Sequence, residues 1–470
     1  MNKRAAFLIA ALSAAVSACA VGPDYERPAA PVSATYKELG EWQIASPAKI
    51  DPDSVWWAVF NDPVLDGLER EVTVSNQTVA QSEAAYRAAV AAADGANATL
   101  FPTIAIAAGF ARAKTQSTKP AVGNDFTAGA SASWALDVWG KLRRGLEAAQ
   151  ASAAAGQDQL AAAKLSVQAA LAGDYFSLRS ADELTRLLDA TVAAYEKSLE
   201  ITRNQYKSGT AAKSDVDQAV AQLEATRAQA LNVLSTRAQL EHAIAVLLGK
   251  APADFTLART SDLPKAPKFP IQAPSVLLER RPDVAAAERQ MAAANAEIGV
   301  AIAAYFPDLT LSAGSSNSAG TIGQLFHASN NVWSFGPNLA DTVIDWGARD
   351  ASVAQARAKY DSTVAAYRQT VLTALQQVED DLVAIAQLDK QAVVEDRAVA
   401  AAAEAARLIF NQYRAGTVAY TSVITAQTAE LTARQSALTI HQNQFTLAVS
   451  LLQALGGEWT GPRDLAALEP

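Results

Sequence analysis

Residues 204–219 read NQYKSGTAAKSDVDQA, a short polar turn around Gly209 inside an alanine-rich run without proline, residues 141–249. Before the turn, apolar residues recur three and four positions apart, which is the period of an α-helix: Leu184, Leu187, Leu188, Val192, Tyr195 and Leu199. A helix from Lys141 to about Tyr206 would be roughly 100 Å long at 1.5 Å per residue. Helices of this length persist by packing side by side in coiled coils, so the run predicts two long helices joined at Gly209.

The same pattern occurs twice in the chain. NQYKSGT from Asn204 returns as NQYRAGT from Asn411, and the motifs ending in Gly140 and Gly249 return at the same offset of 207 residues. FPTIAIAAG, from Phe101, returns as FPDLTLSAG at an offset of 205. A constant period predicts two copies of one unit that runs helix, strand, turn, strand, very long helix, turn, long helix.

The strand pair of each unit is short and of low polarity. Strands are predicted at residues 101–112 and 126–136 in the first copy and 306–315 and 332–345 in the second. Ten to twelve residues are what a tilted strand needs to cross a bilayer. Aromatic residues near the strand ends fit either interfacial girdles or packing against the helices: Trp134, Trp139, Trp333, Phe335 and Trp346.

The remaining boundaries follow from composition. An extended, proline-rich segment is predicted over 19–60, with Trp56, Trp57 and Phe60 as packing anchors. The first repeat then covers 61–250, with long helices at about 141–207 and 212–248. A linker, 251–275, leads to the second repeat, 276–457, with long helices at about 348–414 and 419–455; a tail, 458–470, follows.

The first eighteen residues have the features of a secretory signal peptide, which ends in VSAC. Cys19 is the only cysteine in the chain, so it is either incidental or the acylated residue of a lipoprotein. VSAC resembles a bacterial lipobox, which favours lipidation of Cys19, with palmitate among the expected acyl groups. Ala20, rather than Asp, follows the cysteine, and by the same resemblance this indicates the outer membrane.

Enzyme and nucleic-acid classes find little support. The net charge is −9 without basic clusters, which argues against a nucleic-acid partner. The three histidines, His242, His327 and His441, lack metal-ligand spacing, and no GxSxG elbow or phosphate loop occurs, so no enzyme activity, metal or cofactor is expected. The run QQVEDDL around Glu379 is interpreted as a solvated or lumen-facing charge run rather than a catalytic pair.

Four strands in lipid raise a problem of unpaired edges. An open four-stranded sheet leaves two edges whose backbone groups have no partner, which a bilayer does not tolerate. The chain is therefore predicted to be an α+β membrane protein that contributes its strands to a shared barrel, and three chains would supply twelve strands. The long helices would continue from the strands as a helical tube.

Two stretches resemble a known family. LLERRPDVAAAERQMAAANAEIGVAIAAYFPDLTLSAG, residues 277–314, resembles the signature of the outer-membrane efflux proteins of the TolC and NodT type, and CAVGPDYERP, residues 19–28, is similar to their lipoprotein branch. The resemblance implies a homotrimer with a twelve-stranded outer-membrane β-barrel and a periplasmic α-helical barrel. It also implies docking to a periplasmic adaptor and an inner-membrane pump, as a passive conduit for drugs and other small toxic molecules.

Two alternatives remain beside small-molecule efflux. One is the conduit of a protein-secretion system, and the other is a periplasmic coiled-coil lipoprotein that forms no channel. The duplicated strands argue against the second, because a coiled coil has no need of them.

The resemblance also implies a gate at the periplasmic end, made by polar contacts between helices beside the two turns. Carried over by position, Asp215 and Tyr413 would form a hydrogen bond that holds the tip closed, and Ser422 and Thr425 would line the constriction. The sequence departs from the family at Thr425, where many members have Asp, and at Val418, where some have Arg. A strongly cation-selective ring is therefore not expected there.

Overall fold

The computed structural model describes residues 20–33, 35–38, 55–115, 121–260, 266–267 and 280–457. Within them the helices are α1 (Pro63–Ser75), α2 (Gln77–Ala98), α3 (Lys141–Lys207), α4 (Lys213–Leu247), α5 (Pro282–Ala303), α6 (Ala348–Arg414) and α7 (Tyr420–Ala454). The strands are β1 (Thr103–Thr115), β2 (Ala121–Leu136), β3 (Asp308–Ala319) and β4 (Asn331–Ala340). The chain forms two compact units, one of residues 1–30, 84–157 and 286–369, the other of residues 31–83, 158–285 and 370–470. The predicted fold, mostly helical with four strands in one sheet, is confirmed.

The first unit holds the sheet, which is antiparallel throughout in the order β1-β2-β3-β4. The register aligns Ile104 with Ala132, Ala132 with Ala313, and Ala313 with Phe335. Because side chains alternate along a strand, this face carries the large apolar residues of the two outer strands: Ile104, Ile106, Phe110, Trp333, Phe335 and Leu339. The opposite face carries small and polar residues, as in the row Thr103, Ser133, Ser312, Gly336.

The strand ends differ from the sequence prediction. The segment predicted at 332–345 ends at Ala340, because Ala340 pairs with Asp308, the first residue of β3, and no described strand pairs with the residues beyond it. The other strands extend into the predicted polar loops, to Thr115, from Ala121 and to Ala319.

Polar side chains near the loops join across the ladder instead of ending it. Arg112 Nη1 donates to Asn124 Oδ1 at 3.2 Å, and Ser318 Oγ donates to Asp125 Oδ1 at 2.6 Å. Asn331 Nδ2 donates to Asn317 Oδ1 at 2.8 Å. Asn124, Asp125, Asn317 and Ser318, which lie between the predicted strands, therefore belong to paired strands.

Two tryptophans tie the strand ends to neighbouring backbone. Trp134 Nε1 donates to the carbonyl of Leu100 at 2.8 Å, and Trp139 Nε1 donates to the carbonyl of Pro307 at 2.9 Å. The Trp139 ring also stacks on Phe306, with ring centroids 4.7 Å apart. These two residues therefore follow the packing alternative, whereas Trp333 and Trp346 are exposed in the chain.

The long helices begin where a carboxylate caps their free N–H groups. Asp137 accepts from the backbone N–H of Leu142 and Arg143 at 3.0 and 2.9 Å, at the start of α3. Asp345 accepts from Gly347 and Arg349 at the start of α6. A carboxylate at this end also interacts favourably with the helix dipole, so each strand pair leads directly into a stable helix.

In the first unit the N-terminal segment is extended and lies on α3 and α5. Val21 N–H donates to the carbonyl of Trp139 at 3.1 Å, and the buried Arg144 bonds the carbonyl of Val21 and the carboxylate of Asp24. Gly22 has φ of +100°, and a Cβ there would lie 2.5 Å from Gly299 Cα. Glycine at position 22 is therefore required by both the backbone conformation and the close approach.

The second unit has an aromatic core. Trp56, Trp57 and Phe60 form a short 3-10 helix, are buried, and pack with Phe176 and Phe445. The prediction that they are packing anchors is confirmed.

The start of the predicted linker, around Leu257, is held by hydrogen bonds within the second unit. Arg237 Nε donates to Asp182 Oδ1 at 2.6 Å, and Arg237 Nη2 donates to the carbonyl of Leu257 at 2.7 Å. The Leu257 N–H in turn donates to Glu241 at 2.7 Å. Charged groups this deeply buried are stable only when paired, so these bonds fix the extended segment on α3 and α4.

Candidate functional site

The two turns between long helices have the same backbone. Gly209 and Gly416 have φ of +77° and +76°, and their N–H groups donate to the carbonyls of Tyr206 and Tyr413 at 3.0 and 2.9 Å. A positive φ of this size favours glycine. Each helix therefore ends in a C-terminal cap, in which backbone N–H groups after the helix bond its last carbonyls. The repeated sequence thus gives two equivalent hairpins, α3–α4 and α6–α7, whose turns both lie within the second unit.

A cluster of four hydroxyls joins the two hairpins, and we call it the hydroxyl cluster: Ser198, Thr202, Tyr413 and Tyr420. Tyr413 O–H donates to Thr202 Oγ1 at 3.3 Å, while Thr202 Oγ1 donates to the carbonyl of Ser198 at 3.0 Å. Ser198 Oγ and Tyr420 Oη lie 3.3 Å apart. All four residues are buried, so each hydroxyl depends on these partners.

Apolar side chains from all four helices surround the hydroxyl cluster. Tyr195 and Leu199 of α3 pack with Ala219 and Leu223 of α4, and the rings of Tyr413 and Tyr420 meet edge to face with centroids 5.0 Å apart. Burial raises the pKa of both Tyr413 and Tyr420, and the charge of Asp215 raises both further. The tyrosines are therefore neutral hydrogen-bonding groups at physiological pH.

The predicted hydrogen bond from Tyr413 to Asp215 is not formed within this chain. Asp215 is the third residue of α4, and its carboxylate accepts from the backbone N–H of Ala212 at 3.4 Å. Ala212 has no side-chain acceptor, so this is half of a capping box. The carboxylate is held at its own helix N-terminus, and the Tyr413 hydroxyl donates to Thr202 instead.

Ser422 and Thr425 lie on the first turns of α7. Ser422 is half-buried, whereas Thr425 is exposed and donates its hydroxyl to the carbonyl of Thr421 at 3.0 Å. Thr425 belongs to an open groove that also includes Glu395, Thr428, Thr432 and Ser436. The groove is lined mainly by hydroxyl and methyl groups.

The ERRPDV motif contributes to a second feature of this unit, a cavity of about 510 Å³. Arg281 pairs with both oxygens of Asp283 at 3.0 and 2.7 Å and donates to Gln377 and to the carbonyl of Ala454, at the end of α7. A cation at a helix C-terminus interacts favourably with the helix dipole. The motif thus joins the start of α5 to the end of α7.

For the carboxylates of QQVEDDL, the solvated alternative is wrong for two of the three, and the lumen-facing alternative stays a prediction. Asp381 is buried beside the cavity and accepts from Ser450 Oγ at 2.9 Å. Glu379 accepts the backbone N–H groups of Lys37 and Glu38 at 2.7 and 2.9 Å, which fastens the N-terminal segment to α6. Only Asp380 is exposed, because helix periodicity turns each of the three to a different side.

Burial raises the pKa of the Asp381 carboxyl to about 6; the Ser450 hydrogen bond opposes this shift, and the neighbouring Asp380 adds to it. Asp381 can therefore bind a proton at weakly acidic pH, and it shares the lining of the cavity with Arg281, Asp283 and Ser450. Among the described residues, no group of three or more His, Cys, Asp or Glu is placed to hold a metal ion.

Sequence reasoning missed three members of the hydroxyl cluster. Ser198, Thr202 and Tyr420 were not proposed, although Ser198 and Thr202 lie four residues apart on the same stripe as Tyr195 and Leu199. Polar residues inside an apolar stripe are the available signal, since buried hydroxyls need partners. Cys19 lies outside the described residues.

No helix in the described parts of the chain combines the length and the apolar character needed to cross a bilayer.

Comparison with known proteins gives a consistent result. The profile of the family described as Outer membrane efflux protein matches residues 68–250 and 273–457, which confirms the internal repeat. The probable efflux pump outer membrane protein TtgC of Pseudomonas putida is 30% identical over 465 residues, with 95% of each chain covered. The solved outer-membrane channel OprN is 29% identical with a TM-score of 0.86, covering 93% of this chain and 99% of that one. The solved CusC is 25% identical with a TM-score of 0.84, covering 93% and 100%.

The raised pKa of Asp381 predicts a pH dependence. The unfolded chain releases this proton near pH 4 and the folded chain near pH 6, so the free energy of unfolding should fall as the pH rises between these values. The shift corresponds to about 2–3 kcal/mol, and Asp381→Asn should remove it. Thermal unfolding in detergent from pH 4 to pH 7 should show the wild type losing stability relative to the variant.

Asp380→Asn is the matched control, since Asp380 is exposed and its charge is the smallest cause of the Asp381 shift, so most of the wild-type pH dependence should remain. Parallel profiles for the wild type and Asp381→Asn would contradict the assignment.

Proposed function

Because this chain belongs to the outer membrane efflux protein family, we propose that it is the outer-membrane channel of a tripartite efflux system. In this function it receives small molecules, such as drugs and other toxic compounds, through a periplasmic adaptor from an inner-membrane pump and conducts them passively to the outside. The main observation behind the proposal is that the two faces of the sheet differ in polarity. One face bears large apolar residues suited to lipid, and the other bears small and polar residues suited to a water-filled bore.

The edges of that sheet support a trimer. Strands β1 and β4 have a neighbour on one side only within the chain, and their free backbone groups would be costly in lipid. Pairing β4 of one copy with β1 of the next removes every edge when the ring closes. Three copies give twelve strands, above the minimum of eight for single-chain bacterial barrels.

Small-molecule efflux is favoured over the alternatives by the relatives. TtgC is named an efflux pump outer membrane protein, and the Escherichia coli relative CusC, 27% identical over 448 residues, is named a cation efflux system protein. A protein-secretion conduit remains the second candidate by architecture alone. A coiled-coil lipoprotein without a channel would have no use for a sheet with one apolar face.

Lipidation at Cys19 is part of the proposal and places the protein in the outer membrane. The residue after it, Ala20, lies against Gly140, where an added Cβ would come within 2.6 Å of Ala20 Cα. Val21 is bonded to Trp139, three residues beyond the end of β2. An acyl chain on Cys19 would therefore start close to the end of the sheet, where it can enter the same membrane.

The periplasmic gate is proposed at the tip of the two hairpins, with Asp215, Tyr413, Ser422 and Thr425. The charge of Asp215 affects the pKa of both Tyr413 and Tyr420, which supports its closeness to the hydroxyl cluster. Release of Tyr413 from Thr202 would allow it to reach the carboxylate of Asp215. A hydrogen bond to a charged acceptor contributes about 1.5–3 kcal/mol, enough to hold a tip closed and weak enough for an adaptor to open it.

The trimer is the first test of the proposed function. Purified protein in detergent, weighed by light scattering with the detergent subtracted, should have the mass of three chains. A stable monomer that keeps its strand signal in circular dichroism would refute the shared sheet.

Lipidation is tested by metabolic labelling with a palmitate analogue. Wild-type protein should be labelled and Cys19→Ser should not, while both remain trimeric, because a single lipid chain adds little to the sheet contacts. Equal labelling of the two proteins would exclude Cys19 as the acylated residue.

The gate is tested by conductance in planar bilayers. Tyr413→Phe and Asp215→Ala should each raise the open fraction, and the double variant should add little, because both remove one interaction. Thr202→Val is the matched control for the bond within the chain, since it keeps the shape and removes the acceptor. Wild-type conductance in both Tyr413→Phe and Asp215→Ala would remove this pair from the gate.

A further inference from the structure

The repeat places two tyrosines at equivalent positions, and only one of them is covered. Tyr206 precedes the Gly209 turn as Tyr413 precedes the Gly416 turn, and the turn bonds agree within 0.1 Å, at 3.0 and 2.9 Å. Yet Tyr413 is 5% exposed, whereas Tyr206 is 46% exposed and its hydroxyl makes no hydrogen bond among the described residues. The two turns therefore have the same backbone conformation, but the ring of Tyr413 is buried and the ring of Tyr206 is exposed.

The surface that covers Tyr413 has a counterpart in the second repeat. Tyr413 lies on the α3 face formed by Ser198 and Thr202. The equivalent positions in the second repeat, 207 residues later, are Ala405 and Ile409 on α6. In the single chain Ala405 is exposed, Ile409 is half-buried, and the neighbouring Leu408 is 46% exposed.

The two incompletely covered surfaces belong to different repeats, although Ile409 already packs in part against the apolar cluster around Tyr413. In the first repeat, no surface in the described part of the chain covers the ring of Tyr206. In the second repeat, Ala405 and Ile409 form the surface equivalent to the one that covers Tyr413, which we call the receiving face, and no described tyrosine lies on it. Contact between such unlike surfaces is heterologous, and a repeated heterologous contact closes a ring when the rotation between copies divides a full turn, as it does for three copies in the proposed trimer. It would continue the interface that already joins the two hairpins within the chain.

We propose that Tyr206 of one copy packs on Ala405 and Ile409 of the next copy, so that the partner chain completes the tip. The inference rests on the proposed trimer. The receiving face lacks the hydroxyls of Ser198 and Thr202, and the counterpart of Tyr420 is Lys213, which pairs with Asp217 at 3.0 Å. The contact between copies is therefore apolar and uses the ring of Tyr206, whereas the contact within the chain is hydrogen-bonded.

The test uses the photoreactive amino acid p-benzoylphenylalanine at position 206 of the full-length protein, purified as the trimer. Irradiation should give covalent dimers and trimers on a denaturing gel, and mass spectrometry should locate the insertion at residues 405–409. The matched control carries the same amino acid at position 413. It should react within its own chain, at residues 198–202, and stay at the mass of one chain.

A second variant keeps the proposal testable if the first reaction is weak. Ala405→Arg places a long side chain on the receiving face at an exposed position, so the chain should still fold. It should reduce the cross-link from position 206 to background and leave the internal cross-link from position 413 unchanged.

Three outcomes would overturn the inference: reaction of position 206 with its own chain, insertion at another segment of the neighbour, or no effect of Ala405→Arg. No reaction at position 206, with normal reaction at 413 in a protein that weighs three chains, would overturn it as well and leave the proposed function intact. A mass of one chain would count against the proposed function and, with it, the seam between copies.

Discussion

The constraint on which the rest depends is the pairing of backbone hydrogen bonds at the edges of the four-stranded sheet. A bilayer offers no water to the free N–H and C=O groups of β1 and β4, so a sheet of this size is incomplete in a single chain. On the proposed function, copies of the same chain complete the sheet. The duplication serves the same end, because each repeat supplies one strand pair and one long hairpin.

The sequence was most informative at positions where the backbone conformation allows one residue type and disfavours the others. Gly209 and Gly416 mark turns because a positive φ excludes most side chains, and their repetition at a fixed offset identified both hairpins. The helix bounds also followed from the apolar period. The strand ends did not, because Arg112 and Asn124 are polar and yet bond each other across the ladder, while Val343 and Ile344 are apolar and pair with no strand in the described part of the chain. Pairing is a property of two segments, and composition describes one at a time.

The candidate site shows the same limit. Tyr413 and Asp215 could be placed beside the turns from the sequence, but the acceptor of the Tyr413 hydroxyl lies 211 residues away on α3. The acidic run around Glu379 was misinterpreted for a related reason. Glu379 serves the N-terminal segment and Asp381 serves the end of α7, and neither partner is near in sequence. The burial of a polar group can be anticipated from an apolar stripe, but its partner comes from the tertiary fold.

The turns of the two repeats have the same backbone conformation, so their tips differ in side chains. Thr202 and Tyr420 give the contact within the chain directional hydrogen bonds, each contributing about 0.5–1.5 kcal/mol and fixing the two hairpins in one register. Ile409 and Lys213 occupy the corresponding positions of the other face, where only apolar contact is available. Apolar contact depends on area rather than direction, so it tolerates sliding that a hydrogen bond does not. On the proposed arrangement, the hairpins of one copy move as a pair, and displacement at the tip concentrates at the apolar seams between copies.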